Sequence, residues 1–241
     1  MRAGVLLALF ALAGAVSCGG DQAPYATSVG ILRPHEMITV RIRQGTVNAY
    51  APAVGQPADR FTISAYAQTP STSPYAPAIR PVRDGIQIDA PALRSLLVRV
   101  PQGVDLTVIS GGGDVNVTDI SGNARVFATS GSIALMLPGY ASASLSRGGT
   151  ISVTMGSTDW PGTLRFVNPS GDVDLSVNEN ARFHARLRTR SGTIFTDFSL
   201  RGTSHGKSES IDGPVNGGAG RGIDVECAGG MIRLLRLAPQ I

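Results

Sequence analysis

Residues 163–175 read TLRFVNPSGDVDL, and this stretch decides the fold class. It contains an alternating strand, a turn that ends at Gly171, and a second strand that begins with Val173. The same plan recurs in five other stretches between residues 104 and 234. The glycines that precede the second strand of the six copies are Gly113, Gly131, Gly149, Gly171, Gly192 and Gly230.

The apolar positions of the copies fall into common columns. The residues two positions after the turn glycine are Val115, Ile133, Ile151, Val173, Ile194 and Ile232. Seven residues earlier lie Val108, Val126, Ser144, Phe166, Leu187 and Val225. A unit of about 20 residues cannot bury its own apolar face, but stacked coils fuse such columns into one core. Glycine suits each corner because the turn requires a positive φ or a close approach between coils.

These columns predict an all-β fold, namely a β-solenoid of about six coils with repeats of about 18–22 residues. A β-sandwich is the alternative, since short strands between turns fit that fold too. Glycine accounts for 30 of the 241 residues, and only 16% are charged, against about 25% in typical proteins. The 42% hydrophobic content excludes wholesale disorder, and two cysteines are too few for a disulfide scaffold.

The N-terminus has the features of a lipoprotein signal peptide. Residues 1–17 carry one positive charge and an apolar run, which is shorter than the about 20 residues of a transmembrane helix. The segment AVSC that ends at Cys18 resembles a bacterial lipobox, in which the cysteine is acylated. We therefore expect lipid on Cys18 to anchor the protein in the bacterial cell envelope. The expected location is the outer membrane if the cell has one, facing the periplasm or the exterior. Ordinary cleavage with an unmodified Cys18 is the alternative.

The mature chain divides into three parts by composition. Residues 18–30 form a tether, residues 31–100 form irregular strands that start or cap the stack, and residues 101–241 form the repeat domain. Residues 68–82, rich in Pro, Ser and Ala, are expected to form a loop. The glycine-rich stretch 213–222 is expected to be a flexible loop between the fifth and last coils.

The repeat motif also resembles that of a known family. Glycine, then Asp, Ser or Thr, then a branched residue recurs together with VRVP at 98–101 and RSGTIFTDF at 190–198. Over about residues 95–237 the chain resembles the bacterial putative adhesin family of unknown function. The resemblance implies an envelope β-solenoid, and it brings no catalytic residues with it.

One strand of the fifth copy carries a basic stripe. Phe183, Ala185 and Leu187 alternate with basic residues, which would therefore share the outward face at intervals of about 6.6 Å. Such a stripe suits an anionic envelope polymer, lipid headgroups or an acidic protein. An exported location argues against nucleic acid, and a solvated face without a ligand is the alternative. The stripe consists of Arg182, His184, Arg186, Arg188 and Arg190, with Arg165 in the adjacent coil.

Three carboxylates are candidates for a second kind of site. Asp172 and Asp174 flank Val173, which points inward. Asp197 lies in the next copy of the repeat, two columns further along, and chain order makes that copy the neighbouring coil. We expect separations of about 6–9 Å, which suit glycoside hydrolysis or calcium. The alternative function is therefore a carbohydrate-active β-helix enzyme. Asp after a turn glycine is also ordinary turn chemistry.

An apolar stripe and an absence of motifs complete the sequence predictions. The outward positions Ile109, Phe127, Leu145 and Val167 are apolar, so either residues 31–100 or a partner should cover them. The three histidines have no zinc-ligand spacing, and no catalytic motif is present, so no metal, cofactor or catalytic residue is predicted. The favoured function is a lipid-anchored, non-enzymatic, adhesin-like or scaffold surface. The oligomeric state stays open.

Overall fold

The computed structural model describes residues 23–67, 76–137, 139–218 and 220–238. The leader and Cys18 lie outside these residues. The fold is all-β, and the described ranges contain no helix, so none of them holds a helix long and apolar enough to cross a membrane. The chain forms two compact units, the first ending at Asn123 and the second beginning at Ala124.

The first unit places β2 between two parallel neighbours. Met37 of β2 lies opposite Gly85 of β5 on one side and Asp105 of β6 on the other. The second half of β2 pairs with β5 and β7 in the same way. Antiparallel strands β3 and β4 cover the outer edge of β5, and β1 pairs with β3. The strands are β1 (Ala26–Ile31), β2 (Met37–Tyr50), β3 (Arg60–Tyr66), β4 (Ala78–Val82), β5 (Gly85–Arg99), β6 (Asp105–Ser110) and β7 (Val115–Thr118).

Three boundaries in this unit differ from those expected. Residues 31–100 do more than cap a stack, because β2 pairs in parallel register with the first copy of the repeat, and β5 pairs in the same way with β2. Strand β1 begins inside the expected tether, since Ala26 already pairs with Ala65. Part of the expected loop 68–82 is strand β4, which pairs with the edge of β5 despite containing Pro81. An edge strand tolerates this proline because its missing N–H is not needed for a second neighbour.

The second unit contains the other copies of the repeat. Parallel pairing joins β8 to β10 to β12, and β9 to β11 to β13. Strand β17 then pairs in parallel with both β12 and β13 and, on its other side, with β14. The strands are β8 (Ala124–Ala128), β9 (Gly131–Leu137), β10 (Ala141–Leu145), β11 (Gly149–Met155), β12 (Thr163–Asn168), β13 (Val173–Asn178), β14 (Phe183–Thr196), β15 (Gly202–His205), β16 (Ser208–Val215) and β17 (Gly222–Leu237).

The last copy of the repeat is therefore inserted between the fourth and fifth. The chain order suggested that copies stack in sequence, and this expectation is wrong: Ile232 pairs with Val173 on one side and with Ile194 on the other. The segment between β14 and β17 makes this possible, because β16 runs back antiparallel along β14 and closes its outer edge. The expected flexible loop 213–222 accordingly begins with the last residues of β16.

The register also corrects one entry of the inward column. In the third copy, Ala143 pairs with Val126 and Phe166, and Leu145 is buried, whereas Ser144 is half-buried on the other face. The turn of this copy contains two adjacent positive-φ glycines, Gly148 and Gly149, which add a residue and shift the count by one. A shift by one residue reverses the face of every side chain in a strand.

The corner glycines of neighbouring copies lie against one another in a row, which we call the glycine ladder. Their backbones approach so closely that no side chain fits between them. A Cβ on Gly149 would strike the carbonyl oxygen of Gly131, and one on Gly171 that of Gly149. In the same way, Gly230 abuts the carbonyl of Gly171, and Gly192 abuts that of Gly230. All but Gly192 also have a positive φ. The prediction that these glycines allow a positive φ or a close approach between neighbouring copies of the repeat is confirmed.

Candidate functional site

The basic stripe on β14 has the orientation that alternation predicts. Phe183, Ala185 and Leu187 are fully buried, while the arginines between and around them are exposed and His184 is half-buried. Phe183 contacts two other aromatic rings, with ring centroids 5.5 Å from Trp160 and 5.8 Å from Phe198. This buried aromatic group fixes the start of β14, and it thereby fixes the outward direction of the stripe.

Acidic residues from neighbouring strands neutralise the part of the stripe in residues 182–186, which we call its lower half. Arg165 of β12, Asp224 of β17, Arg186 of β14 and Asp212 of β16 lie in one row across four strands, with alternating charge. Asp212 accepts a hydrogen bond from Nε of Arg186 at 3.1 Å. Its other oxygen lies 2.5 Å from Nε2 of His184. Opposite charges placed directly across a sheet attract each other, so this row is held by its own charges.

The contacts of Asp212 lower its pKa. The hydrogen bond with His184 is the largest cause, and the hydrogen bond with Arg186 is the next. Both contacts stabilise the charged form of the carboxylate. The remaining lower member, Arg182, donates from Nε to the carbonyl oxygen of Asn216 at 3.2 Å. Residues 182–186 are thus occupied with partners on β16 and the loop after it.

The upper half of the stripe, Arg188 and Arg190, differs from the lower half in its ion pairs. Among the ion pairs of the described residues, none includes Arg188 or Arg190. Glu226 lies opposite Arg188 in the register, but its carboxylate is 3.8 Å from the guanidinium of Arg165. Both arginines line a cleft of about 340 Å³, together with Ser208 and Glu226. Two cations of the stripe thus face this cleft without an ion-pair partner among the described residues.

The three candidate carboxylates do not form one cluster. Strand β17 lies between β13, which follows Asp172 and contains Asp174, and β14, which precedes Asp197. The expectation of neighbouring coils is therefore wrong, and the lateral separation is about 10 Å before any offset along the strands. The order of the coils is the cause, since the inserted β17 displaces the fifth copy by one strand spacing.

Each of these carboxylates also accepts hydrogen bonds within the fold. Asp172 accepts from the backbone N–H of Met231 at 2.9 Å, and Asp197 from that of Arg236 at 2.9 and 3.0 Å. Asp174 accepts from Nη2 of Arg233 at 2.7 Å, and this contact raises the pKa of Arg233. Among the described residues, no group of three His, Cys, Asp or Glu side chains is arranged to hold a metal ion.

The predicted apolar stripe is only partly apolar on its outward face. Leu145 is buried, and Val167 is half-buried. Phe127 is 48% exposed, and its cross-strand neighbour on β10 is Ser144. Within the first unit, Ile109 is 39% exposed beside Arg41 of β2, so the described part of residues 31–100 lies next to it without covering it.

Cys227 lies three residues before the corner glycine Gly230, and its side chain bonds to the backbone of a neighbouring corner. It is buried, and its Sγ donates to the carbonyl oxygen of Gly171 at 3.3 Å. Asn168, its register partner, donates to the carbonyl oxygens of Gly149 and Asp172. Burial raises the pKa of the Cys227 thiol. Cys227 is therefore a buried, structural thiol.

Sequence reasoning missed the acids that pair with the stripe. Asp224 and Glu226 alternate with buried Val225, so their outward direction is visible in the sequence. Their position beside β14 depends on the inserted β17, which the chain order does not reveal. Asp212 lies in the insertion between the last two copies, where no repeat pattern marks it.

Comparisons with known proteins give little beyond these observations. No family model matches the chain, and no curated protein matches it. Among solved structures, the chain is similar to a crystal structure described as a "putative cell adhesion protein" from Clostridium sporogenes ATCC 15579. The two are 10% identical with a TM-score of 0.49, over 88% of this chain and 99% of that chain.

Proposed function

We propose that this protein is a non-enzymatic, lipid-anchored component of the bacterial envelope whose β-solenoid offers a surface to an anionic polymer. The parallel register of successive copies and the glycine ladder support the solenoid. The lipobox-like segment ending at Cys18 supports the anchor. Replacing Cys18 with Ala should move the protein from the membrane fraction to the soluble fraction, and retention in the membrane would contradict the anchor.

One observation carries the binding proposal. Arg188 and Arg190 stand beside an open cleft, while Arg165 and Arg186 of the same face already have acidic partners. An arginine without a partner keeps its charge available for carboxylate or phosphate groups, which its planar guanidinium binds through two hydrogen bonds. The contact point is therefore the upper half of the stripe.

Binding to alginate, a linear polyuronate, tests this proposal with the full mature chain. An arginine near an anionic surface contributes about 1 kcal/mol, so the Arg188→Gln/Arg190→Gln variant should bind about 30-fold more weakly. The matched control is Arg165→Gln/Arg186→Gln, which removes the same formal charge. Because acids already neutralise those two arginines, the control should lose less than about threefold.

The salt dependence and the control decide the result. Binding should weaken between 50 and 200 mM salt, as screening shortens the range of exposed charges. Equal losses in the two double variants would mean that only net charge matters, which contradicts a site at Arg188 and Arg190. No measurable binding of the parent protein to alginate or to anionic vesicles would contradict the polymer-binding function itself.

A further inference from the structure

The edge of β14 that faces away from β17, its outer edge, has a neighbouring strand along only the first half of β14. Residues 183–189 pair with β16. Among the described residues no strand pairs with the outer edge of residues 191–196, where Gly192 donates its N–H to the carbonyl oxygen of Lys207, in the turn before β16, at 3.4 Å. Ile194 shows the consequence, since it is half-buried while its register partner Ile232 and the next residue in the column, Val173, are both fully buried. Ile194 therefore has a strand neighbour on one side only, whereas Ile232 has one on each side.

The equivalent edge of the first unit is closed. There β5 is the last parallel strand, and both of its halves have an antiparallel neighbour: β4 along Gly85–Asp89 and β3 along Ser95–Arg99. In the first unit an antiparallel strand covers each half of the edge strand β5, whereas in the second unit an antiparallel strand covers only one half of β14. An open edge of this kind is a template for an added strand.

Side chains take the place of the missing strand. Ile194 donates its backbone N–H to Oε2 of Glu209 at 2.7 Å, so this N–H points to the open edge and a carboxylate occupies the position of a ladder carbonyl. By alternation, the N–H of Thr196 points the same way. A flexible glutamate is easily displaced by a backbone carbonyl, whereas a paired strand is not.

A groove runs beside these edge groups. Its volume is about 360 Å³, and its walls are residues 194–196, Leu200, and residues 202–204 and 209–211 of the β15–β16 hairpin. Phe195 at its rim is 55% exposed, so its ring is accessible from the groove. The groove thus combines a strand edge that has no strand neighbour among the described residues with apolar side chains, which is what an extended peptide requires.

The surrounding charge selects the kind of peptide. Arg190, Arg201 and Lys207 flank the edge and are exposed. Asp197 and Glu209 keep their negative charge while they accept backbone N–H groups, so three cations stand against two carboxylates at this edge. A second copy of this edge would place the same cations against each other, so self-pairing is disfavoured. An acidic strand is complementary to the edge.

We propose that residues 191–196 of β14 and the adjoining groove bind an extended acidic segment of another protein, which adds to the sheet as an antiparallel strand. The incoming carbonyl replaces the Glu209 carboxylate on the N–H of Ile194. Alternate side chains of the segment enter the groove beside Phe195 and Leu200, and acidic ones meet Arg190 and Lys207. Arg190 belongs to the polymer-binding face as well, so the ladder hydrogen bonds, and not this arginine, distinguish the two kinds of binding.

The test uses a fluorescein-labelled octapeptide that alternates Glu with Val, with anisotropy measured on the full mature chain. The first control is the same peptide with N-methyl groups on its four central residues, which keeps the charge but prevents ladder hydrogen bonds. We expect the methylated peptide to bind at least tenfold more weakly. Equal binding of the two peptides, or no binding of the parent peptide up to about 1 mM, a weak limit on the affinity scale, overturns the proposal.

Two variants should change the affinity in opposite directions. Thr196→Pro removes an edge N–H and should weaken binding at least fivefold relative to the Thr196→Ser control, which keeps the hydroxyl group that accepts from Phe198. Glu209→Ala frees the N–H of Ile194 and removes a negative charge, so it should tighten binding about tenfold. Because a misfolded protein does not bind more tightly, the second variant separates docking from loss of structure.

Two further outcomes are decisive. If Glu209→Ala leaves the affinity unchanged or weakens it, the carboxylate does not hold the place of a strand, and the proposal is overturned. If it produces dimers that the peptide does not dissociate, the edge binds a second copy, which also overturns it. Alginate has no backbone amides that could pair with a strand, whereas the N-methylated peptide and Glu209→Ala report on the strand edge, so failure there and failure here are distinguishable.

Discussion

The glycine ladder makes a quantitative prediction because two separate costs meet at Gly171. Its φ is +110°, where an L-residue costs about 1–2 kcal/mol. A Cβ there would also lie about 1 Å inside the 3.0 Å limit of real Cβ contacts, against the carbonyl oxygen of Gly149. Overpacking of this kind costs about 1–3 kcal/mol. Gly171→Ala should therefore lose about 2–5 kcal/mol, a large part of the about 5–15 kcal/mol of a typical domain.

Three matched glycines separate the two costs. Gly162 has a φ of +69° and nothing within 4 Å of the place where an alanine methyl group would lie, so Gly162→Ala should lose about 1–2 kcal/mol from φ alone. Gly192 is outside the positive-φ region but abuts the carbonyl of Gly230, so Gly192→Ala should lose about 1–3 kcal/mol. Gly156 has neither feature, and Gly156→Ala should be about 0.5 kcal/mol more stable.

Urea unfolding followed by circular dichroism measures these free energies, with a shared m value as the check that only stability changes. The loss in Gly171→Ala should approach the sum of the losses in Gly162→Ala and Gly192→Ala. If Gly171→Ala is as mild as Gly156→Ala, the corners do not hold the coils at this distance, and the reasoning about the ladder is refuted.

Three other predictions follow from single contacts. The lowered pKa of Asp212 stabilises the fold above its unfolded pKa of about 3.9, and this stability is lost as the pH falls through the folded value. Asp212→Asn should therefore flatten the decline of thermal stability between pH 5 and 2, and an unchanged decline would contradict the contact with His184. Cys227 is buried with a raised pKa, so in Cys18→Ala protein its thiol should react with a maleimide only as the protein unfolds, and Cys227→Ser should fold normally; rapid labelling of the folded protein would contradict this. Phe127 is 48% exposed, so Phe127→Asp should stay folded and lose less than about 1 kcal/mol in the same urea assay, whereas unfolding would show that another segment covers it.

Local regularity made much of the fold predictable from the sequence. The alternation in residues 182–190 gave the correct face for each side chain, because period two is a property of the strand itself. The corner glycines were equally visible, since a positive φ or a close backbone contact leaves few other residues. Counting along the chain failed only in the third copy, where Gly148 and Gly149 lengthen the turn.

The order of the coils was not predictable in the same way. Nothing in the local pattern of residues 222–237 states which copies will be its neighbours, because every copy presents similar columns to both sides. The candidate sites depended on that order. Asp197 was assigned to a cluster that the inserted β17 divides, and Arg186 was counted as available although Asp212 binds it. Which charges pair across strands depends on the tertiary structure, and alternation within one strand does not reveal it.

The inserted position of β17 is the central claim, since it sets which charges meet on the binding face. Disulfide trapping in a Cys227→Ser background tests it directly with two pairs of substitutions. Val167 and Glu226 are register partners about 4.8 Å apart, whereas Val167 and Arg188 are two strands apart, about 10 Å. We predict that the Val167→Cys/Glu226→Cys pair crosslinks on mild oxidation and that the Val167→Cys/Arg188→Cys pair does not. The reverse result would place the coils in chain order and contradict this account.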